Sequence, residues 1–233
     1  LGDVYKRQTL MLVTVHNRGP DAAEIHVLPQ VWFRNTWSWF EGAHRPKMSQ
    51  TGDMAFSVEH PDFDRMWARF DGEPEILFTD NETDPRRHYD APGATGYFKG
   101  AFHEYVVGGQ SGGLCPSRSG TKATGRHRVT IPAGGSHRFR MALGRTEQEL
   151  DVPAFDRVME ERRSEADTFY DDVQRGIEDD DHRSIQRQAF AGMIWSKQFY
   201  HYDIPQWLKG DAVYPPPPEG RKKGRNSEWE HLN

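Results

Sequence analysis

The residues best suited to binding a ligand lie in one short segment, Val31–Phe40. It contains three of the chain's seven tryptophans, Trp32, Trp37 and Trp39. Between them lie four residues with hydrogen-bonding side chains, Arg34, Asn35, Thr36 and Ser38. Flat rings beside donors and acceptors suit a sugar, whose apolar faces stack on aromatic rings while its hydroxyls need hydrogen bonds. The simpler interpretation is a strand end whose aromatics belong to the core, and this segment alone favours it.

Two later segments, Tyr200–Asp203 and Gly224–Trp229, have the same mixture of aromatic and hydrogen-bonding residues in irregular stretches. Loops carried on a rigid scaffold are where binding residues usually lie. The candidate substrate-binding residues are therefore Arg34, Asn35, Trp37, Trp39, Tyr200, Tyr202, Arg225 and Trp229. For Trp32 we favour a packing role between domains.

Motifs for catalysis or for a cofactor are weak. The histidines and acids lack the spacing of a zinc or calcium site, and Cys115 has no nucleophile signature around it. The glycine-rich stretch Gly108–Gly113 lacks the ending of a phosphate loop. Asp203 and Glu228 each neighbour an aromatic ring, which raises a carboxyl pKa where it excludes water, but capping or ion pairing explains both more simply. We predict no metal and no cofactor.

Composition restricts the class of protein further. The net charge of −5 argues against general binding to nucleic acid, and the single cysteine excludes an internal disulfide. No apolar run reaches the ~20 residues of a membrane span. The mean hydropathy of −0.87 indicates a large polar surface or a piece of something larger. We expect a cytoplasmic protein that binds neither membrane nor nucleic acid.

The elements that position these residues begin with short strands separated by glycine and proline, which is typical of an antiparallel β-sandwich. The predicted strands are Leu10–His16, Glu24–Phe33, Met54–Val58, Arg65–Phe70, Glu75–Thr79, Phe102–Val107, Arg126–Ile131 and a closing strand that contains Phe139, Met141 and Leu143. The turn signal at Asn17–Asp21 predicts that the first two form a hairpin. Pro29 is expected to interrupt the second, and Phe40–Gly52 is predicted to be a loop.

After Gly144 the apolar residues recur at helical spacing. One helix is predicted to begin near Asp151 and to end at Gly176, and a second to begin at Asp179–Asp181 and to run on towards Tyr200. The second helix is apolar over a wide arc that includes Phe190, Met193, Ile194 and Trp195. Other elements would have to pack against it on more than one side to bury that arc. We predict that this apolar face is poorly covered within the chain.

Several segments in consistent order resemble the bacterial glucosidase-like members of glycoside hydrolase family 63, which includes the processing α-glucosidase of N-glycan maturation. The segments are Asn17–Pro20, Leu28–Trp39, Leu77–Thr83, Phe102–Val107, Gly120–Ala123, Ile131–Ser136, Ala191–Asp203, Gly224–Asn226 and Trp229–Asn233. The resemblance implies a β-sandwich, a helical linker and an (α/α)6 toroid. It also implies an inverting α-glycosidase whose two catalytic carboxylates lie in the toroid.

Under this resemblance, residues 1–8 are a non-native leader, 9–146 the sandwich, 147–178 the linker and 179–233 the start of a truncated toroid. The catalytic carboxylates are then expected beyond Asn233, so no catalytic residue is assigned and the fragment alone is expected to be inactive. Its partners would be a carbohydrate substrate and the missing C-terminal toroid. The alternative is a stand-alone carbohydrate-binding or protein-interaction sandwich without catalysis, and a purely structural sandwich is a third option.

Overall fold

The computed structural model describes residues 8–196, 202–212, 215–225, 227–229 and 231. Their fold is mixed β/α with antiparallel sheets. The chain divides into two compact units, Leu1–Val152 and Pro153–Asn233. The first unit carries the strands and two short α-helices, and the second carries the two longest α-helices and a further short one.

More and less exposed residues alternate in the first strand, whereas Ala55–His60, Phe63–Phe70 and Glu75–Thr79 each contain three or four consecutive buried residues, as strands covered on both faces do. Their bounds are β1 Thr9–His16, β2 Ala23–Val27, β3 Gln30–Trp32, β4 Lys47–Gly52, β5 Ala55–His60, β6 Phe63–Phe70, β7 Glu75–Thr79, β8 Ser119–Gly120, β9 Lys122–Ile131 and β10 Ser136–Gly144. The helices are α1 Pro85–His88, α2 Ala101–Gly108, α3 Val152–Val173, α4 Asp180–Trp195 and α5 Ile204–Lys209.

Two antiparallel sheets form the first unit. One has the order β1-β10-β6-β5-β4-β8, and in the other β9 pairs with β2 and then β3 along one edge and with β7 along the opposite edge. Both sheets contribute to one hydrophobic cluster, which contains Phe56 and Phe70 from the first sheet and Phe78 and Ala123 from the second. On β9 the side chains of His127 and Ile131 are buried and Val129 is half-buried, and on β10 Phe139 and Met141 are buried and Leu143 is half-buried.

The predicted hairpin of the first two strands is wrong, because β1 pairs with β10 while β2 pairs with β9 in the other sheet. The turn signal instead carries the chain between sheets. The Asn17 amide donates to the carbonyl oxygens of Asp21 (2.7 Å) and Ile131 (2.9 Å), which holds this crossing in place. The interruption at Pro29 is confirmed, since β2 ends at Val27 and β3 begins at Gln30.

The predicted strand Phe102–Val107 is also wrong, because these residues form helix α2. Ala101 and Phe102 are buried at its start, and the exposed fraction of Val107 is 72%. Gly109 ends the helix in the left-handed region at φ 66°, and its N–H donates to the carbonyl oxygens of Glu104 and Tyr105. The local preference of valine for strands is therefore overridden by tertiary context.

Two loops contain elements that the sequence did not indicate. Phe40–Gly52 ends in strand β4, whose single fully buried residue is Met48. The polar loop Asp80–Tyr89 contains α1, whose first turn is capped by the Asp84 carboxylate accepting from the Arg86 N–H at 3.0 Å.

The second unit begins with α3, followed by α4. The start predicted for α4 is confirmed, because the Asp179 carboxylate accepts from the His182 N–H at 2.8 Å. The uncovered apolar face is confirmed for Met193, Ile194 and Trp195, whose exposed fractions are 67%, 68% and 84%. Phe190, expected on the same face, is instead half-buried, with its ring centroid 6.4 Å from that of Tyr170. The continuation predicted towards Tyr200 lies outside the described residues.

Candidate functional site

The tryptophan-rich segment leaves β3 and meets the chain that leaves β7, at one end of the second sheet. The Asn81 amide donates to the Phe33 carbonyl oxygen at 2.9 Å, and the Asn81 N–H donates to the Thr121 hydroxyl at 2.8 Å. Asp80 accepts from the Thr121 N–H at 3.1 Å. These bonds fix residues 33, 80, 81 and 121 relative to one another, which makes this end of the sheet a defined platform.

Trp37 lies at the centre of this platform, and only 7% of it is exposed. Its indole N–H donates to Glu82 Oε1 at 3.0 Å. Arg45 pairs with the same Glu82 oxygen at 3.1 Å and with Asp80 at 2.7 Å, and its guanidinium lies 5.7 Å from the Trp37 ring centroid. One guanidinium therefore balances two carboxylates, and the indole of Trp37 is held as part of that ion-pair cluster.

The neighbouring candidates are more accessible than Trp37. The exposed guanidinium of Arg34 lies 4.9 Å from the Trp39 ring centroid, and Trp39 itself is half-buried. Asn35 is half-buried, and its carbonyl oxygen accepts from the Ser38 hydroxyl at 3.3 Å. Trp32, for which we favoured packing, is 57% exposed. Trp32, Arg34 and Trp39 thus present ring and guanidinium surface to solvent in the same segment of the chain as the buried Trp37.

The remaining candidates belong to the second unit. Tyr202 is half-buried with its ring centroid 6.2 Å from that of Trp207, Arg225 is exposed, and Trp229 is 51% exposed. Tyr200 lies outside the described residues. Asp203 caps α5 by accepting from the Gln206 N–H at 3.0 Å, which is the simpler role considered for it. The substrate-binding role of these residues, and of those in the first unit, stays a prediction.

A group of charged residues at the platform was not among the binding residues predicted from the sequence. Arg45, Asp80 and Glu82 complete the surroundings of Trp37, but nothing in their spacing indicates that they meet. Lys122 is half-buried at the start of β9, and its ammonium donates to the Lys99 carbonyl oxygen at 3.4 Å and lies 5.1 Å from the Phe102 ring centroid. Burial, and secondarily the charge of Lys99, lowers the pKa of Lys122.

Among the residues that the structure describes, no group of three or more histidine, cysteine, aspartate or glutamate side chains is arranged to hold a metal ion. Within those same ranges, no helix has the length and apolar character needed to cross a membrane.

Comparison with known proteins adds one relative and no family. No protein-family model matches the chain. The chain is 32% identical over 260 aligned residues to the uncharacterized protein YMR196W of Saccharomyces cerevisiae, in an alignment that covers 94% of this chain. The chain spans about a quarter, 24%, of that relative's length.

Proposed function

We propose that this chain is part of an inverting α-glycosidase of the α-glucosidase-like kind, which hydrolyses glycosidic bonds of oligosaccharides or small glycosides. In this proposal the chain supplies a substrate-facing surface, and the catalytic carboxylates belong to a helical domain of the longer protein. The observation that carries the proposal is the platform at the end of the second sheet. There the Arg45–Asp80–Glu82 cluster holds Trp37, and the same segment of the chain carries exposed Trp32 and Arg34 and half-buried Trp39.

This arrangement has the two components of a carbohydrate surface. Aromatic faces stack on the C–H faces of a sugar, and polar groups placed beside them bind its hydroxyls. A fixed platform also lowers the entropic cost of ordering those groups when a ligand binds. The segments that resemble glycoside hydrolase family 63, and that follow one another in the same order as in that family, also support a glycosidase.

The finer architecture is part of the proposal. We infer that the two sheets of the first unit face each other as a β-sandwich, and the hydrophobic cluster shared by both sheets supports this. We infer further that α4 begins an (α/α)6 toroid completed by the rest of the longer protein. The exposed apolar residues of α4, and a relative about four times as long, support that inference.

In an inverting mechanism one carboxylic acid protonates the leaving oxygen, while a second carboxylate ~6.5–9.5 Å away activates a water on the opposite face of the sugar. Asp80 and Glu82 are poor choices for these roles, because Arg45 pairs with both carboxylates and the Trp37 indole N–H donates to Glu82. Asp203 is engaged as a helix cap. The chain is therefore expected to be inactive by itself.

Proton NMR of the anomeric signals tests this assignment. We expect the full-length yeast relative to hydrolyse an α-glucoside and to release the β-anomer first, and the 233-residue chain to release no sugar. Retention of the α-configuration, or no hydrolysis of any α-glycoside by the full-length protein, would contradict the proposed activity. Hydrolysis by the 233-residue chain would contradict the placement of the carboxylates.

The alternative is a carbohydrate-binding sandwich that acts without catalysis. The exposed indole of Trp32 favours this alternative. Its strongest support would be a pair of exposed, coplanar rings at Trp37 and Trp39. Trp37 is buried, so the structure does not have that pair. Glucan binding that persists after deletion of everything beyond Gly144, together with an inactive full-length relative, would favour this alternative over the glycosidase.

A further inference from the structure

The outward face of the second sheet carries one cationic group whose surroundings differ from those of its neighbours. Alternate residues of a strand share a face, so Lys122, Arg126 and Arg128 of β9 lie on the side opposite the buried Ala123 and His127. Arg126 pairs with Glu75 at 2.5 Å, and Arg128 pairs with Glu24 at 2.8 Å. Lys122 has no carboxylate within ion-pair distance among the described residues.

The surroundings of Lys122 add positive charge instead of removing it. Its ammonium donates to the Lys99 carbonyl oxygen and faces the Phe102 ring. The exposed Lys99 ammonium also lacks a carboxylate partner within the described ranges, and its charge opposes that of Lys122. A half-buried ammonium with a second cation nearby loses hydration without gaining a counter-charge. An anion bound here would supply that counter-charge.

An aromatic surface adjoins the two lysines. Trp32 is the cross-strand partner of Lys122 in the β3–β9 pair, so the two side chains stand on one face with Cβ atoms about 5 Å apart. Trp32 is 57% exposed, which leaves ring surface for a ligand. The pair therefore combines a flat apolar surface with a cation that has no carboxylate partner.

We propose that Trp32, Lys122 and Lys99 form a subsite for an acidic sugar, in which the sugar stacks on the indole and its carboxylate or phosphate pairs with the two ammonium groups. A neutral sugar would use the ring but leave the ammonium of Lys122 without its counter-charge. A small anion would use the ammonium but not the ring. The inference rests on the proposed function only in taking the ligand to be a carbohydrate, and it does not require glycosidase activity in this chain.

Binding is measured on the 233-residue chain by following the Trp32 indole N–H signal in ¹H–¹⁵N NMR spectra, assigned through Trp32→Phe. The probes are D-glucuronate, glucose 6-phosphate, glucose and inorganic phosphate at constant ionic strength. We expect at least one acidic sugar to bind about tenfold more tightly than glucose and than phosphate, since a charge-assisted hydrogen bond contributes about that factor. The acidic sugar that shows the preference identifies whether the anion is a carboxylate or a phosphate.

Lys122→Met removes the charge and keeps the apolar stem, so the preference for the acidic sugar should fall to about onefold. Arg128→Gln removes a cation from the same face, where Glu24 already pairs with it, and should keep the preference. Lys99→Gln, an exposed change that spares the fold, gives an independent test and should reduce the preference by a smaller factor. Equal binding of glucose and both acidic sugars, no binding of any sugar, or a preference that survives Lys122→Met would overturn the proposal.

Phosphate binding as tight as that of the tighter-binding acidic sugar would also overturn it, because the indole would then contribute nothing. Failure of the acidic-sugar subsite is distinguishable from failure of the proposed glycosidase. The first is read from sugar binding to this chain, and the second from hydrolysis by the full-length relative.

Discussion

At the scale of single residues, Trp32 and Trp37 show how similar side chains in one segment acquire different roles. Trp37 is 7% exposed and bonded to Glu82, whereas Trp32 is 57% exposed on the outward face of β3. Strand alternation does not extend to Trp37, because β3 ends at Trp32 and the chain then turns irregularly. The burial of Trp37 depends on Arg45 and Glu82, which come from other segments.

Trp37→Phe tests the structural role of the indole N–H. The substitution keeps an aromatic ring but removes the donor to Glu82, so we expect a loss of about 1–2 kcal/mol in the free energy of unfolding. Urea denaturation measures the loss. Trp32→Phe is the matched control and should change stability by less than about 0.5 kcal/mol. Equal losses for the two variants would show that the Trp37–Glu82 bond contributes no specific stabilisation.

His127 gives a prediction for pH. It is 6% exposed between the rings of Phe70 and Phe139, and its Nε2 has no hydrogen-bond partner among the described residues. Burial lowers its pKa, the charge of Asp71 acts in the opposite direction, and His137 lowers it further. A folded-state pKa below the unfolded value means that the unfolded chain binds the proton more readily. The contribution of His127 to the free energy of unfolding is therefore fully present above pH ~6.5 and decreases as the pH falls below that value.

The measurement compares unfolding free energies at pH 7.5 and 5.5. His127→Phe should make the loss of unfolding free energy between these two pH values smaller. The difference from the wild type should be at most about 1.4 kcal/mol for each pH unit below the unfolded-state pKa of histidine. Replacing the exposed His88 by glutamine is the control and should leave the pH dependence unchanged. A wild-type profile identical to that of His127→Phe would contradict a lowered pKa for His127.

At the scale of elements, the sequence predicted best where glycine, proline or capping residues bound a run of strand-forming or helically spaced residues. β6, β7, β9, β10, α3 and the start of α4 fall into this group. The prediction from sequence failed where contacts between distant residues determine the secondary structure. Helix α2 is an example, because its valines favour a strand while Gly109 and the buried Phe102 favour the helix. The pairing of β1 with β10 joins the two ends of the first unit, and no local signal specifies it.

Gly120 tests how the elements hold the platform. A Cβ at this position would overlap the Thr79 backbone and lie 2.9 Å from its carbonyl carbon. Because backbone cannot move aside cheaply, Gly120→Ala should cost about 2 kcal/mol or more in the free energy of unfolding. It should also disturb the bonds between Thr121 and Asp80. Gly52→Ala, where a Cβ would meet nothing within 4 Å, is the control for strand glycines, and equal effects would argue against a close approach at Gly120.

At the scale of the whole molecule, the candidate site was predicted only in part. The tryptophan-rich segment was found from its composition, but the charged residues around it, Arg45, Asp80 with Glu82, Lys99 and Lys122, come from four separate parts of the first unit. Residues such as Arg45 and Lys122 have ordinary sequence surroundings, and only the fold brings them beside tryptophans. The exposed apolar residues of α4, in contrast, follow directly from helical spacing, since no other predicted helix offered enough surface to cover them.

The uncovered face of α4 gives the last prediction. Met193, Ile194 and Trp195 are each at least two-thirds exposed, and contiguous apolar surface of this kind is typical of an interaction site or an aggregation-prone patch. The isolated chain is therefore expected to bind a hydrophobic dye such as anilinonaphthalene sulfonate and to associate as its concentration rises. Combining Ile194→Gln with Trp195→Gln should reduce dye fluorescence at least twofold and change the free energy of unfolding by less than about 0.5 kcal/mol per site. Val107→Gln, at an exposed valine of α2, is the control and should leave dye binding unchanged. A wild-type chain that stays monomeric and binds no dye would show that this face is covered within the chain itself.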